Sequence, residues 1–312
     1  MIGKFAGIDI GGTKCAVTLA KATADSVEIL RKTRFETDIT ESPRSIIERF
    51  CEIIDGFGEI DGIGISCGGP LSSKRGLIMS PPNLPLWDDI PIVDILSERY
   101  SVPVRLQNDA NACAIAEWRY GAGRGCENMV FLTFGTGFGS GLILDGRLYS
   151  GIDDMAGEIG HVRLEKDGPI GFGKKGSCEG FCSGGGLKRL ATAIAEKKAE
   201  SGEAPEWYPE HCDAKSVAQA AYAGDETAIE VYRICGEKLG SALSILVDLL
   251  NPERIVIGSI FARSGDLIRP HMEKVMEEEC LSHTLARVEV LPAALGEQLG
   301  DFAAVCVAMG GY

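Results

Sequence analysis

The residues of this chain best suited to chemistry are carboxylates and hydroxyls set beside glycines. Asp9 ends an apolar run and opens Asp9-Ile10-Gly11-Gly12-Thr13-Lys14, after which a second strand-like run begins at Cys15. Glycines let a backbone approach a phosphate closely, Thr13 adds a hydroxyl donor, Lys14 adds positive charge, and Asp9 can hold a metal through water. These glycines join two strands rather than open a helix, which excludes the Walker and Rossmann readings. Taken alone, the same residues fit an ordinary β-hairpin. Farther along, Gly135-Thr136-Gly137 follows the apolar run Met129 to Phe134, and a flexible turn does not by itself call for a Thr between glycines in both loops. Between the two loops lies Gln107-Asn108-Asp109-Ala110-Asn111. Asp109 there is either a helix N-cap or a base that takes a proton from a substrate hydroxyl.

These residues need rigid elements around them. Ile46, Ile47, Phe50, Ile53, Ile54 and Phe57 recur at helical spacing behind Ser42-Pro43, and buried strands are expected at Asp61 to Ser66 and Val102 to Leu106. A helix is expected from Asp109 to Tyr120, a hairpin about Asp145-Gly146, and a mostly helical stretch from Glu179 to Glu200. Leu239, Leu243, Leu246 and Leu250 form one helical stripe that stops at Asn251-Pro252. A strand at Arg254 to Ile257, a helix near Leu267 to Cys280, a strand at Arg287 to Leu291 and a last helix from Asp301 to Met309 follow. The alternation of strands and helices predicts an α/β fold. At 312 residues the chain suits two lobes better than one core.

A net charge of −14 argues against nucleic-acid binding, so an anionic substrate must be captured locally. Eleven cysteines without a disulfide spacing fit a reducing, cytoplasmic setting. The sequence shows no signal-peptide pattern and no apolar run long enough to span a bilayer.

Asp9-Ile-Gly-Gly-Thr-Lys14, Asn108-Asp109-Ala-Asn111, Leu132-Thr-Phe-Gly-Thr-Gly137 and Gly157-Glu-Ile-Gly-His161, in this order, resemble the motifs of the ROK family of sugar kinases and sugar-responsive repressors. The resemblance covers essentially the whole chain. It implies a two-lobed actin/hexokinase-like (ribonuclease H-like) ATPase fold, closing on ATP and sugar with the active site in the interlobe cleft. Residues 1–118 plus a C-terminal helix 296–312 would form the smaller lobe, and residues 119–295 the larger. The implied activity is glucokinase-like transfer of the γ-phosphoryl of Mg·ATP to a hexose or amino sugar, and a homodimer is the family expectation.

By motif position the resemblance makes Asp109 the general base and Asp9 the carboxylate on the Mg²⁺ side. Gly11, Gly12, Thr13, Lys14, Gly135, Thr136 and Gly137 would contact phosphates. Gly258-Ser259 matches the adenosine loop, with Ser259 where the family's second glycine is usual. Gly69, Asn83, Asn108, Asp109, Glu158, His161 and Glu179 would hold the sugar. The alternative is a non-catalytic sugar-sensing regulator on the same fold, but only eight residues precede Asp9, too few for the helix-turn-helix domain that the family's repressors carry there.

One departure matters. Family members bind a structural Zn²⁺ with the histidine of Gly-His and three cysteines, and the matching cysteine positions here are Ile170, Phe172 and Ser177. A tetrahedral structural site needs four ligands, so this zinc is expected to be absent. Apolar packing by Ile170 and Phe172 is expected in its place, and Cys178 with Cys182 is the alternative for a displaced site.

Overall fold

The computed structural model describes residues 2–312, which divide into two compact units. Unit 1 comprises the chain up to Glu127, Gly141–Ala156 and Ala294–Tyr312; unit 2 comprises Asn128–Ser140 and Gly157–Ala293.

The chain opens with β1 (Gly3–Ile10) and β2 (Lys14–Ala22), antiparallel, in a register running from Gly3 opposite Ala22 to Ile10 opposite Cys15. Next comes β3 (Val27–Glu36), an edge strand whose charged residues discourage pairing with another chain. Helix α1 (Pro43–Asp55) starts as expected: the Ser42 hydroxyl accepts from the Ser45 N–H, Pro43 occupies the first turn, and Ile46, Ile47, Phe50 and Ile54 are buried. The fully buried β4 (Gly62–Cys67) pairs parallel to β1. A small hairpin, β5 (Leu71–Ser72) and β6 (Leu77–Ile78), and helix α2 (Ile92–Tyr100) lead to β7 (Val104–Asn108), parallel to β4, and directly into α3 (Asp109–Tyr120). The sheet order is β3-β2-β1-β4-β7.

In unit 2, β8 (Met129–Leu132) precedes the Thr133–Gly139 loop. The hairpin β9 (Ser140–Leu144) and β10 (Arg147–Tyr149) turns at Asp145-Gly146, as the sequence predicts. The domain boundaries differ from the expected ones, because residues 119–127 and 141–156 belong to unit 1. Gly141 lies so close to α3 that a Cβ there would sit 2.7 Å from the Ala110 carbonyl oxygen, and Asp154 accepts from the Ser73 N–H at 2.8 Å and hydroxyl at 2.7 Å.

A second small hairpin, β11 (Ile170–Gly171) and β12 (Lys174–Lys175), is followed by the short α4 (Cys178–Phe181), α5 (Gly184–Glu200), α6 (Ala214–Tyr222) and the long α7 (Glu226–Leu250). Asn251 ends α7 in the left-handed conformation, with Pro252 beyond it. Then β13 (Arg254–Ile257) pairs parallel to β8. Helix α8 (Ile260–Glu279) starts earlier than expected. Non-helical dihedrals at Ser264 kink it there, and the part after the kink, which contains Pro270, packs against α7. There the α7 glycines Gly236 and Gly240 leave room for the α8 backbone, since a Cβ on either would lie 2.6 Å from a carbonyl oxygen. The short α9 (Ser282–Leu285), then β14 (Glu289–Pro292), parallel to β13, and α10 (Leu299–Met309) complete the chain.

Helix α10 lies on β1 and β4 of unit 1 at very close range. A Cβ on Gly64 would fall 2.1 Å from the Ala304 carbonyl oxygen and 2.2 Å from the Ala308 nitrogen. Gly64→Ala is therefore expected to cost ~3 kcal/mol or more, because backbone must move. Gly68→Ala, with nothing within 4 Å of the new Cβ, is the control, and urea denaturation of both variants decides. Equal stability of the two would refute this account of the packing.

Candidate functional site

Unit 1 assembles one set of the expected residues. Asp9 stands near the end of β1, opposite Ala16 of β2 and Ser66 of β4. The turn beyond it is held by the Gly11 N–H donating to the Lys14 carbonyl at 3.2 Å and by the Thr37 hydroxyl donating to the Gly11 carbonyl at 2.7 Å. Gly12 must be glycine for a reason inside the protein: a Cβ there would lie 2.5 Å from the Asn83 Cβ and 2.6 Å from its carbonyl oxygen. The structure thus brings the Asn83 loop onto the Gly-Gly turn, while Thr13 and Lys14 remain exposed.

The ambiguity over Asp109 is resolved by its neighbour. Asn108 caps α3, its Oδ1 accepting from the N–H groups of Ala110 at 3.0 Å and Asn111 at 3.4 Å. Asp109 is the first helical residue, and its Oδ1 accepts from the Ala110 N–H at 2.8 Å. Its side chain reaches solvent yet is densely surrounded by protein, and this desolvation raises its pKa above the ordinary carboxylate value. Gly69 is adjacent, its Cβ direction leading to the Asn108 Nδ2 at 3.3 Å.

Sequence reasoning passed over Gln107. This buried side chain accepts from the Asn108 N–H at 2.8 Å and from Asn111 Nδ2 at 3.1 Å, fixing the peptide on which the cap and Asp109 sit. Its place beside Asn108 in the motif was the available signal.

The Asp9 carboxylate is perturbed as well. Burial, then the negative charges of Asp109 and Asp301, push its pKa from 3.8 to about 6, against the pull of Lys32 and Lys14. Neither Lys32 nor Asp301 stood out in the sequence, because β3 and α10 reach Asp9 only through the tertiary fold.

Unit 2 assembles a second set. The Thr133–Gly139 loop closes on itself: the Thr133 N–H donates to the Gly139 carbonyl at 2.9 Å, and the Gly139 N–H to the Thr133 hydroxyl at 2.8 Å. Thr136 stands exposed at its tip. Glu179 on α4 accepts from the Phe138 N–H at 3.1 Å, which ties it to the Gly135–Gly137 loop. Gly160 presses on the same loop, since a Cβ there would be 2.0 Å from the Phe138 carbonyl oxygen, and this seats the exposed Glu158 and His161 beside it. Gly258 follows β13, and the exposed Ser259 adopts φ 49°, ψ −107°, a left-handed conformation that glycine takes more readily. Its Oγ lies 3.5 Å from the Cβ position of Gly135.

The segment matching the family's zinc site is built differently from the expected apolar plug. Ile170 is 45% exposed and Phe172 is 70% exposed, so neither fills an interior space. Only the Phe172 ring approaches His161, edge-on, with centroids 6.1 Å apart. The buried member is Ser177, whose hydroxyl accepts from the Gly180 N–H at 3.2 Å and faces the carbonyls of Gly171 and Lys174 at 3.3 and 3.2 Å. Lys174 Nζ donates to the His161 carbonyl at 2.8 Å, completing a hydrogen-bonded brace. Cys178 and Cys182 are fully buried, and burial pushes the Cys182 thiol well above its ordinary pKa, away from the thiolate that a metal requires. Among the described residues, no group of three or more His, Cys, Asp or Glu side chains is placed to hold a metal ion.

Two α/β units, each with a glycine-rich loop following a strand, define an ATPase-type fold of the actin/hexokinase class. The ROK family model matches residues 5–309, and the chain belongs to the ROK family. It is 31% identical to a glucokinase of Thermotoga maritima over 97% of this chain and 96% of that one. It is 33% identical to a glucokinase of Halalkalibacterium halodurans, over 95% and 92%. A crystal structure of a ROK family glucokinase from Streptomyces griseus, in complex with glucose and AMPPNP, superimposes with a TM-score of 0.79 at 29% identity, covering 99% of this chain and all of that one.

The raised Asp9 pKa carries a stability consequence. Between about pH 4 and 6 the folded protein binds a proton that the unfolded chain has lost, so this carboxylate reduces stability as pH rises through that window. A rise from 3.8 to about 6 corresponds to ~3 kcal/mol at most. Asp9→Asn is expected to be more stable than the wild type at pH 8, with the gain fading towards pH 4. Thermal melts at both pH values check this; an equal gain at both would assign the effect to packing instead.

Proposed function

We propose that this protein is an ATP-dependent sugar kinase, with Asp109 as the base that accepts the proton of the attacking hydroxyl of a hexose or amino sugar. The observation that carries the reading is the capping of α3 by Asn108, which leaves Asp109 solvent-accessible at the end of β7. Its raised pKa makes it a better proton acceptor than an ordinary carboxylate. Most of the remaining acceleration of phosphoryl transfer comes from positioning and charge neutralisation.

On the nucleotide side, the turn Gly11, Gly12, Thr13 and Lys14 and the loop Gly135, Thr136 and Gly137 contact phosphates, and Gly258 with Ser259 receives the nucleoside. Asp9 fits the metal side, because a carboxylate crowded by Asp109 and Asp301 gains from a nearby dication. Mg²⁺ arriving with ATP supplies neutralisation of phosphate charge there. On the sugar side, Asn108 turns its Nδ2 towards Gly69, and Asn83, Glu158 and His161 offer further polar contacts. Glu179 spends one oxygen on the glycine loop and keeps the other for a hydroxyl. A site of this kind rejects sugars lacking a hydroxyl it bonds, since a buried partner is then left unpaired. Eleven free thiols support a reducing compartment such as the cytoplasm.

A coupled assay of ADP release over a panel of glucose, fructose, mannose, N-acetylglucosamine and N-acetylmannosamine is expected to show turnover with at least one. Saturable sugar binding with no turnover on any would instead identify a sugar-sensing regulator. Asp109→Asn is expected to keep sugar affinity within about tenfold and lower kcat by ~10²-fold or more. Near-wild-type turnover of that variant would remove Asp109 from the base role.

A further inference from the structure

The proposed mechanism does not use the ion pair between Asp301 and Lys32. Asp301 is the third residue of α10 and only 6% exposed. Its Oδ1 accepts from the Thr18 hydroxyl of β2 at 2.9 Å, and its Oδ2 is paired with Lys32 Nζ of β3. The residue before it, Gly300, backs the Asp9 carboxylate so closely that a Cβ there would lie 3.3 Å from Oδ2. No side chain caps the start of α10, and its first turn is joined through Asp301 to β2 and β3.

Stability alone is a poor reason for this arrangement. A buried pair pays desolvation on both charges, and well-packed apolar residues of similar volume often serve as well or better. The pair also brings a third carboxylate near Asp9 and Asp109. What it gives in return is direction: one carboxylate joins the first turn of α10 to two adjacent strands, β2 and β3.

We propose that Lys32 and Asp301, with Thr18, are positioning residues for Asp9, holding Gly300 behind its carboxylate so that it meets the Mg²⁺-bound nucleotide in a fixed place. The inference rests on the kinase reading and adds to it residues that no motif marks.

The test is the double variant Lys32→Met/Asp301→Leu, which removes both charges together and leaves none uncompensated, alongside Gly300→Ala, which pushes a methyl group towards Asp9. Kinetics are measured against ATP, total Mg²⁺ and sugar separately, with a thermal melt of each variant. Expected are a rise of about fivefold or more in the Mg²⁺ half-saturation and in KM for ATP, and a sugar KM within about twofold of wild type. A folded double variant with wild-type Mg²⁺ and ATP dependence overturns the proposal. Should the double variant not fold, Thr18→Val decides, because it keeps the ion pair and removes one hydrogen bond: a raised Mg²⁺ half-saturation supports the role and an unchanged one overturns it. A wild-type protein without turnover defeats the kinase reading separately. The pair is then judged by Mg²⁺-dependent binding of a non-hydrolysable ATP analogue, where equal affinity of wild type and double variant overturns it.

Discussion

The close seat of α10 on β1 and β4 is the constraint on which unit 1 depends. Backbone meets backbone there, because Gly7 and Gly64 present no side chains and α10 answers with Ala304 and Ala308. Interiors are packed densely enough that such a contact leaves one arrangement open. Asp9 lies near the end of the strand that carries Gly7, and Gly300 lies in the first turn of the helix that packs on it. The carboxylate and the turn behind it therefore move as one body.

That rigidity has an electrostatic counterpart. Asp9 feels the charges of Asp109 and Asp301, and Lys14 and Lys32 offset them only in part. A carboxylate held in this way resists ionisation, which costs the resting protein stability and readies the site for a cation. The chain is acidic overall, so under the proposed function the attraction for an anionic nucleotide has to be local, from glycine-loop backbone groups and nearby side chains rather than from net charge.

Unit 2 shows one sequence departure absorbed by different chemistry. In the segment where the family resemblance implies a zinc site, Ser177 and Lys174 form a brace of hydrogen bonds, and Phe172 rests edge-on to His161. The residue types at positions 170, 172 and 177 led to the expectation that no zinc is held there. They pointed to apolar packing as the substitute, and this was wrong because hydrophobic residue type does not reveal whether a hairpin tip is buried or exposed.

Residue order alone determined the long strands, most helices, both glycine loops and the strand-to-helix junction at Asn108 and Asp109, because hydrophobic periodicity, capping chemistry and turn residues act within a few positions of one another. The short hairpins β5–β6 and β11–β12 and helix α6 were not legible there. The part of α8 before the Ser264 kink was not expected, while the part after it matches the helix expected near Leu267 to Cys280. Which of two adjacent residues caps α3 was a matter of side-chain rotation, settled only when Gln107 took hold of the Asn108 peptide. The surroundings of Asp9 lay beyond local reading altogether. Lys32 and Asp301 are separated from Asp9 along the chain and reach it through sheet register and helix packing, so its charge state and its backing belong to the tertiary structure.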